Sequence, residues 1–190
     1  AKAMDVSIND IHGTVIGGHG DTTMIPLKRL ATYNGVPVSQ FLDSETLDKV
    51  AADTMVGGAT LTGLLGTSAW YAPGAASLSV VESIIRDEKR VIPCSVFLQG
   101  EYGQSDICLG VPVVLGKTGW EKIIDYKLND AEQALFAKSA DAATSRIRRA
   151  SSPQAITSVS RQAMIQSRVY MDEAIMDETV IPNLMRCVHQ

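Results

Sequence analysis

The sequence lacks the features that would place this chain in a membrane or on nucleic acid. No apolar run approaches the roughly 20 residues that a bilayer-spanning helix needs, and the first residues, AKAMDVSIND, contain neither the basic segment nor the apolar segment of a secretory signal. The 17 basic residues are outnumbered by 21 acidic ones, for a net charge of −4, so the electrostatic footprint of a DNA- or RNA-binding protein is missing. The composition predicts a cytoplasmic globular protein with no membrane or nucleic-acid partner.

Cysteine is scarce, and the few cysteines and histidines form no ligand pattern. The three cysteines are widely spaced and include no C-x-x-C pair, which argues against a disulfide framework and a zinc knuckle. His12 and His19 are seven residues apart, and His189 lies near the end of the sequence, so no recognised metal-ligand spacing results. We predict no metal site and free thiols at Cys94, Cys108 and Cys187.

The sequence also lacks the glycine fingerprints of nucleotide binding. No G-x-G-x-x-G is present. Residues 110–118 (GVPVVLGKT) resemble G-x-x-x-x-G-K-[ST], but five residues separate the glycines instead of four, and the aliphatic interval with its proline predicts a strand followed by a glycine turn. Residues 55–60 (MVGGAT) lie inside a helical pattern, so we attribute these glycines to close helix packing.

The order of the predicted elements indicates an α+β domain in which long helices pack on an antiparallel sheet. Hydrophobic periodicity, turn signals and capping residues define these elements. In order, they are a strand at 14–18, a strand at 24–29, an Asn-Gly turn at 33–35 before VPVSQF, a helix from an N-cap at Ser44 to about residue 65, a helix from near Pro73 to the charged cluster at 87–90, strands at 91–98, 107–109, 111–116 and 120–127, and a final helix opened by Asn129.

The two ends of the sequence differ from its centre. After residue 143 the chain is rich in Ser, Arg and Gln and poor in large apolar side chains, which predicts a poorly ordered or partly helical tail at 144–190, with a short helix at 169–176. Residues 1–143 form the predicted folded domain. At the start, AKAM has the pattern of a last helical turn without a cap, so we expect the sequence to belong to a longer chain.

One segment, residues 15–27 (VIGGHGDTTMIPL), places a histidine between glycines at the end of a predicted strand. The residues alone leave two interpretations of His19 open. A lone loop histidine is commonly satisfied by a backbone carbonyl. Flanking glycines, however, let a ligand approach the backbone closely, and a strand end directs the ring outward.

This segment closely resembles the active-site segment of the lactate/malate dehydrogenase family, and it is nearest to the malate branch. Further segments resemble the family in the same order, and together they cover about residues 1–143. They are TMVGGATLTGLLGTSAWYAPGAA, VVESIIRDEKRVIPCSVFLQGEYG, ICLGVPVVLGKTGWEKI and LNDAEQALFAKSADA. The resemblance implies the C-terminal, substrate-binding fold of that family.

The resemblance also implies roles for individual residues. His19 is the implied acid/base, which protonates the ketone oxygen of oxaloacetate as hydride arrives from NADH and takes the hydroxyl proton in malate oxidation. Ala69 and Pro73 are implied to shape the substrate pocket by packing. Lactate-using relatives commonly carry a hydroxyl residue at the position matching Ala69, so alanine favours malate. The implied cofactor is NAD, the implied process is the tricarboxylic acid cycle, and the implied assembly is a homo-oligomer, a dimer or a tetramer.

The family's cofactor-binding half, its substrate-clamping arginines and the aspartate that orients the histidine precede the segments that this sequence matches. We therefore expect a fragment that lacks the NAD-binding half and is inactive by itself. Without the arginines the dicarboxylate substrate has no strong anchor, and without the aspartate the imidazole is not held in one orientation. Two alternatives remain open. One is a lactate dehydrogenase of the same family, and the other is a non-catalytic remnant that keeps only the oligomerisation surfaces.

Overall fold

The computed structural model describes residues 1–150, and the side chains of residues 1–145. This part of the chain forms three α-helices and eight β-strands, interspersed with short 3₁₀ turns. In chain order they are β1 (Ile11–His12), β2 (Val15–Gly17), β3 (Met24–Pro26), β4 (Thr32–Tyr33), β5 (Val36–Pro37), α1 (Ser44–Leu65), α2 (Tyr71–Ile85), β6 (Arg90–Gln99), β7 (Ser105–Gly116), β8 (Gly119–Ile123) and α3 (Asp130–Ala150).

The strands form two antiparallel sheets, which confirms the predicted α+β class. The smaller sheet has the order β1-β4-β5. Its β4–β5 turn contains Asn34 at φ 45° and Gly35 at φ 85°, as the Asn-Gly signal predicts. The larger sheet has the order β3-β2-β7-β6. Strand β8 pairs with the C-terminal end of β7, from Val113 to Gly116. The predicted run VPVSQF is a strand only at Val36–Pro37, because a 3₁₀ helix begins at Val38.

Helix α1 begins one residue earlier than a cap at Ser44 would place it. The N-cap is Asp43, whose carboxylate accepts a hydrogen bond from the backbone N–H of Thr46 at 2.7 Å. This bond lowers the pKa of Asp43, because it stabilises the charged carboxylate. Ser44 is therefore the first helical residue, and the prediction that it caps the helix was wrong. The helix ends at Gly66, which has the left-handed conformation typical of a helix end.

The close helix packing attributed to residues 55–60 is not found in the described part of the chain. A Cβ placed on Gly57 or Gly58 would meet no atom within 4 Å. Helix α1 lies instead against β3 and the 3₁₀ turn at Lys28–Leu30, while α2 lies against β7. Both helices therefore leave large apolar side chains exposed, namely Val50, Val56, Leu61, Leu64, Leu65, Trp70, Tyr71 and Ile85.

Helix α2 starts at Tyr71, so Pro73 occupies its first turn, where a missing backbone N–H does no harm. Its far end is fixed to the sheet by Ser83, a fully buried residue whose hydroxyl donates to the carbonyl of Leu115 at 2.8 Å. A buried hydroxyl needs such a partner, since an unmet hydrogen bond inside a protein is costly. Helix α2 is thereby anchored on β7.

Strand β7 organises the core. It is one continuous strand where the sequence predicted two, at 107–109 and 111–116, because Gly110 continues the ladder with β6. Alternating side chains of β6 and β7 point to one face, where the buried face of α3 covers them. The cluster contains Ile16, Ile25, Leu27, Val96, Leu98, Tyr102, Ile107, Leu109, Val111, Val113, Phe136 and Ala140.

Helix α3 opens with the predicted capping residues. The backbone N–H of Asn129 donates to the Glu132 carboxylate, and the backbone N–H of Glu132 donates to the Asn129 side chain, both at 2.9 Å. The predicted boundary between 143 and 144 lies within this helix. The predicted tail beyond residue 150, including its helix at 169–176, Cys187 and His189, lies outside the described residues. Within the described range, no helix is long and apolar enough to cross a bilayer.

Candidate active site

The loop that contains His19 connects β2 to β3, and we call residues 18–23 the histidine loop. The two strands pair in register from Val15 opposite Pro26 to Gly17 opposite Met24, so the loop leaves from the end of a regular ladder. Gly17 also pairs with Gly110 of β7. The base of the loop is thus fixed to the middle of the larger sheet.

Hydrogen bonds inside the loop close its second half into a turn. The carbonyl of Gly20 accepts from the backbone N–H of Thr23 at 2.8 Å and from that of Met24 at 3.1 Å. The backbone N–H of Gly20 donates to the Thr23 hydroxyl at 2.9 Å. Thr23 is buried, whereas His19 is exposed. The loop therefore packs against the protein through Thr23 and presents His19 to solvent.

A residue of α3 links the two ends of the histidine loop. The Ser139 hydroxyl accepts a hydrogen bond from the backbone N–H of Gly18 at 2.8 Å and donates one to the carbonyl of Thr23 at 2.9 Å. Ser139 is only 2% exposed. Ser139 was not among the site residues predicted from the sequence. The available signal was a small polar residue on the apolar face that Phe136, Ala140 and Ala143 define at helical spacing.

An ion pair fixes the start of α3 beside the strand that follows the loop. Arg29 and Glu132 form paired hydrogen bonds of 3.2 and 2.9 Å, and Arg29 also donates to the carbonyl of Lys127. The Glu132 carboxylate raises the pKa of Arg29, and Arg29 in turn lowers the pKa of Glu132. The helix that supplies Ser139 is therefore attached to the β2–β3 unit at a second point.

The imidazole of His19 is open to a ligand. Within residues 1–145 it makes no hydrogen bond or ion pair, and Asp21, two residues on, is likewise exposed. An imidazole is a side chain that can donate or accept a proton in a reaction. The structure thus places an exposed imidazole on a loop whose backbone is held by the sheet, by its own turn and by Ser139.

Ala69 and Pro73 lie at the start of α2, on a different segment. Ala69 is half-buried in the segment between α1 and α2, and Pro73 is exposed in the first turn of α2. Helix α2 is anchored on β7 at Ser83, near the opposite end of the helix, and β7 pairs with β2 through Gly110 and Gly17. No hydrogen bond connects His19 to either residue in the part of the chain with described side chains.

The near-match GVPVVLGKT does not form a phosphate cradle for a dinucleotide. Residues 110–116 of the near-match GVPVVLGKT lie in β7, as the strand interpretation predicted, and pair with β6 and β8. Their backbone groups serve the sheet and do not converge on an anion, as those of a phosphate-binding loop must. This segment is therefore not assigned to NAD.

The fixed backbone of the loop gives a testable prediction for Gly17. Its φ is +89°, and an added Cβ would lie 2.7 Å from the Thr23 carbonyl oxygen and 2.9 Å from Ser139 Oγ. We expect Gly17→Ala to lower the free energy of unfolding by about 1–3 kcal/mol, because the strain of a disfavoured conformation adds to the clash. Urea unfolding measures the loss.

The matched control is Gly13→Ala, just before β2. A Cβ on Gly13 would meet no atom within 4 Å, so we expect this change to be nearly neutral. Equal losses for the two variants would contradict the geometry described for the loop.

Residues 1–153 match the model of the lactate/malate dehydrogenase alpha/beta C-terminal domain. A malate dehydrogenase from Flavobacterium frigidimaris is 70% identical over 140 residues, which are 74% of this chain and 45% of that protein. A malate dehydrogenase from Bacteroides thetaiotaomicron is 65% identical over 142 residues, 75% of this chain and again 45% of the relative. The chain thus spans a little under half the length of these relatives.

Solved structures show the same fold. The malate dehydrogenase of Salinibacter ruber superposes with a TM-score of 0.75 at 42% identity, covering 78% of this chain and 48% of that one. The lactate dehydrogenase of Eimeria maxima, solved with NADH and oxamate, also gives a TM-score of 0.75, at 36% identity, covering 78% of this chain and 46% of that one. The resemblance of the fold extends across both branches.

Proposed function

Because this chain belongs to the lactate/malate dehydrogenase family, as its C-terminal domain, we propose that it is the substrate-binding and catalytic part of an NAD-dependent malate dehydrogenase. The reaction is the reversible oxidation of (S)-malate to oxaloacetate. The observation that carries the proposal is the exposed imidazole of His19, on a loop whose backbone is fixed by the sheet, by its own turn and by Ser139. The high identity to relatives named malate dehydrogenase supports malate over lactate.

His19 is the proposed acid/base. In the direction of malate oxidation, its neutral imidazole accepts the proton of the C2 hydroxyl. In the direction of oxaloacetate reduction, the imidazolium donates that proton to the ketone oxygen. A positioned group of this kind accelerates such reactions by about 10²–10⁴-fold.

The proposed pocket includes the start of α2. Ala69 and Pro73 supply apolar surface there and take no part in proton transfer. A methyl group at position 69 offers no hydroxyl to the substrate, which fits a dicarboxylate held elsewhere by charged groups. The anchor of α2 through Ser83 fixes the position of this surface relative to β7.

NAD is the proposed cofactor and takes up the hydride. Since residues 110–116 pair within the sheet and the chain spans under half of its relatives, we propose that NAD and the substrate carboxylates are held by the other half of a full-length enzyme. The 190-residue chain by itself is then expected to be inactive.

We also propose a homo-oligomer, because the exposed apolar side chains of α1 and α2 favour burial against another subunit or the other half. We further propose a cytoplasmic location, because free thiols such as those of Cys94 and Cys108 are typical of that compartment.

The test uses this chain fused behind the N-terminal half of the Flavobacterium frigidimaris relative, which we call the joined enzyme. NADH oxidation is measured with oxaloacetate and with pyruvate. We expect turnover with oxaloacetate, little with pyruvate, and none from the 190-residue chain by itself. Faster turnover with pyruvate would favour the lactate branch. A correctly folded joined enzyme that turns over neither substrate would favour a non-catalytic remnant.

A further inference from the structure

Ser139 stands out among the buried polar side chains of the described domain. It is one of three buried polar side chains, with Thr23 and Ser83. Ser83 bonds to the sheet, and Thr23 bonds within the histidine loop. Ser139 alone joins that loop to a helix more than a hundred residues away in the sequence.

The two hydrogen bonds of Ser139 are made to residues on either side of His19 in the sequence. Gly18 immediately precedes His19, and Thr23 is the last residue of the loop, so one hydroxyl holds both ends of the histidine loop. The second half of the loop is closed by its own turn at Gly20 and Thr23. The first half, which contains His19, lacks such a turn, and its Gly18 amide bonds to Ser139. The backbone directly before His19 is therefore held by this side chain.

Ser139 packs closely against the two glycines that precede His19. Its Oγ would lie 2.9 Å from a Cβ on Gly17 and 3.4 Å from one on Gly18. Two consecutive glycines thus let the loop approach α3 closely enough for the hydroxyl to reach two backbone groups. A serine that served only the helix would need neither glycine.

We propose that Ser139 is a positioning residue for the reaction: its hydroxyl fixes the backbone on both sides of the proton-transfer histidine and so sets the direction of the His19 ring. This inference rests on the proposed function. Ser139 touches no substrate and acts only through the loop. Small misplacements of a reacting group lower the rate of the chemical step more than they weaken substrate binding. The expected signature is a fall in kcat with little change in KM.

The first experiment measures amide hydrogen exchange by NMR in the 190-residue chain. In Ser139→Ala the exchange of the Gly18 amide is expected to accelerate about tenfold, because this amide loses its hydrogen-bond acceptor. The control variant is Ala140→Gly, which perturbs the adjacent buried position of α3 and leaves both loop bonds in place. Unchanged Gly18 exchange in Ser139→Ala, relative to Ala140→Gly, would overturn the proposal.

The second experiment uses the joined enzyme. We expect Ser139→Ala to lower kcat by about tenfold to a hundredfold, with KM for oxaloacetate changed less than about twofold. Ala140→Gly is expected to keep the parent kcat. Equal kcat values for Ser139→Ala and Ala140→Gly would overturn the proposal. If Ser139→Ala does not fold, Ser139→Cys takes its place, because a thiol fills the site but is a weaker partner.

The two proposals fail in different ways. Loss of turnover in His19→Asn together with full turnover in Ser139→Ala would overturn the positioning role and leave the proposed function standing. Full turnover in His19→Asn would overturn the proposed function. The Gly18 exchange rate would still decide whether Ser139 orders the loop.

Discussion

Replacing His19 by asparagine is expected to lower the kcat of the joined enzyme with oxaloacetate by about 10²–10⁴-fold. Asparagine keeps a polar side chain of similar reach, but it cannot carry a proton between substrate and solvent. The loop itself should persist, because its hydrogen bonds use the backbone of Gly18 and Gly20 and the side chains of Thr23 and Ser139. Steady-state NADH oxidation measures the fall in rate.

The matched control is His12→Asn. His12 is also exposed, and it lies in β1 of the smaller sheet, which contains no part of the histidine loop. We expect the parent kcat from this variant. A similar loss in both variants would indicate damage to the fold and not the loss of a proton donor.

The second large effect concerns stability. Phe136→Ala is expected to lower the free energy of unfolding of the 190-residue chain by about 3–5 kcal/mol, the usual cost of removing a buried phenylalanine. Phe136 is 0% exposed in the main cluster, and its ring lies 5.1 Å from that of Tyr102, measured between centroids. The change leaves a cavity between α3 and the sheet. Urea unfolding followed by circular dichroism measures the loss.

The neighbouring Leu135 provides the control. It lies on the same helix but is 50% exposed, so Leu135→Ala should cost well under half as much. If the two alanine variants were equally stable, α3 would not pack on the sheet as described.

Local signals in the sequence predicted most of the fold. The Asn-Gly turn, the capping pair Asn129 and Glu132, and the alternating strands each specify their own conformation through neighbouring residues. The errors arose where two local solutions compete. Asp43 and Ser44 both suit an N-cap, and only the observed geometry gives the bond from Thr46 to Asp43. Gly110 resembled a strand end, but it continues β7 because it allows the close approach of Gly17.

The candidate site was less accessible to local analysis. Glycines and a strand end suggested that His19 is presented outward, and the structure places it on an exposed loop, but its proton-transfer role came from the family resemblance. Ser139 was missed because it lies 121 residues from Gly18 in the sequence. A contact of that range depends on how α3 crosses the sheet. The opposite error occurred at Gly57 and Gly58. These glycines suggested a closely packed helix, but a Cβ added to either would meet no atom of residues 1–150 within 4 Å.

Chemical rescue distinguishes an imidazole that transfers the proton from one that only shapes the loop. The variant is His19→Ala in the joined enzyme, assayed with oxaloacetate and NADH at increasing concentrations of free imidazole. We expect a kcat that is low without imidazole and rises with its concentration, while the parent enzyme shows no such rise. A His19→Ala enzyme with parent activity, or one whose low rate does not respond to imidazole, would rule out the proton-transfer role of His19.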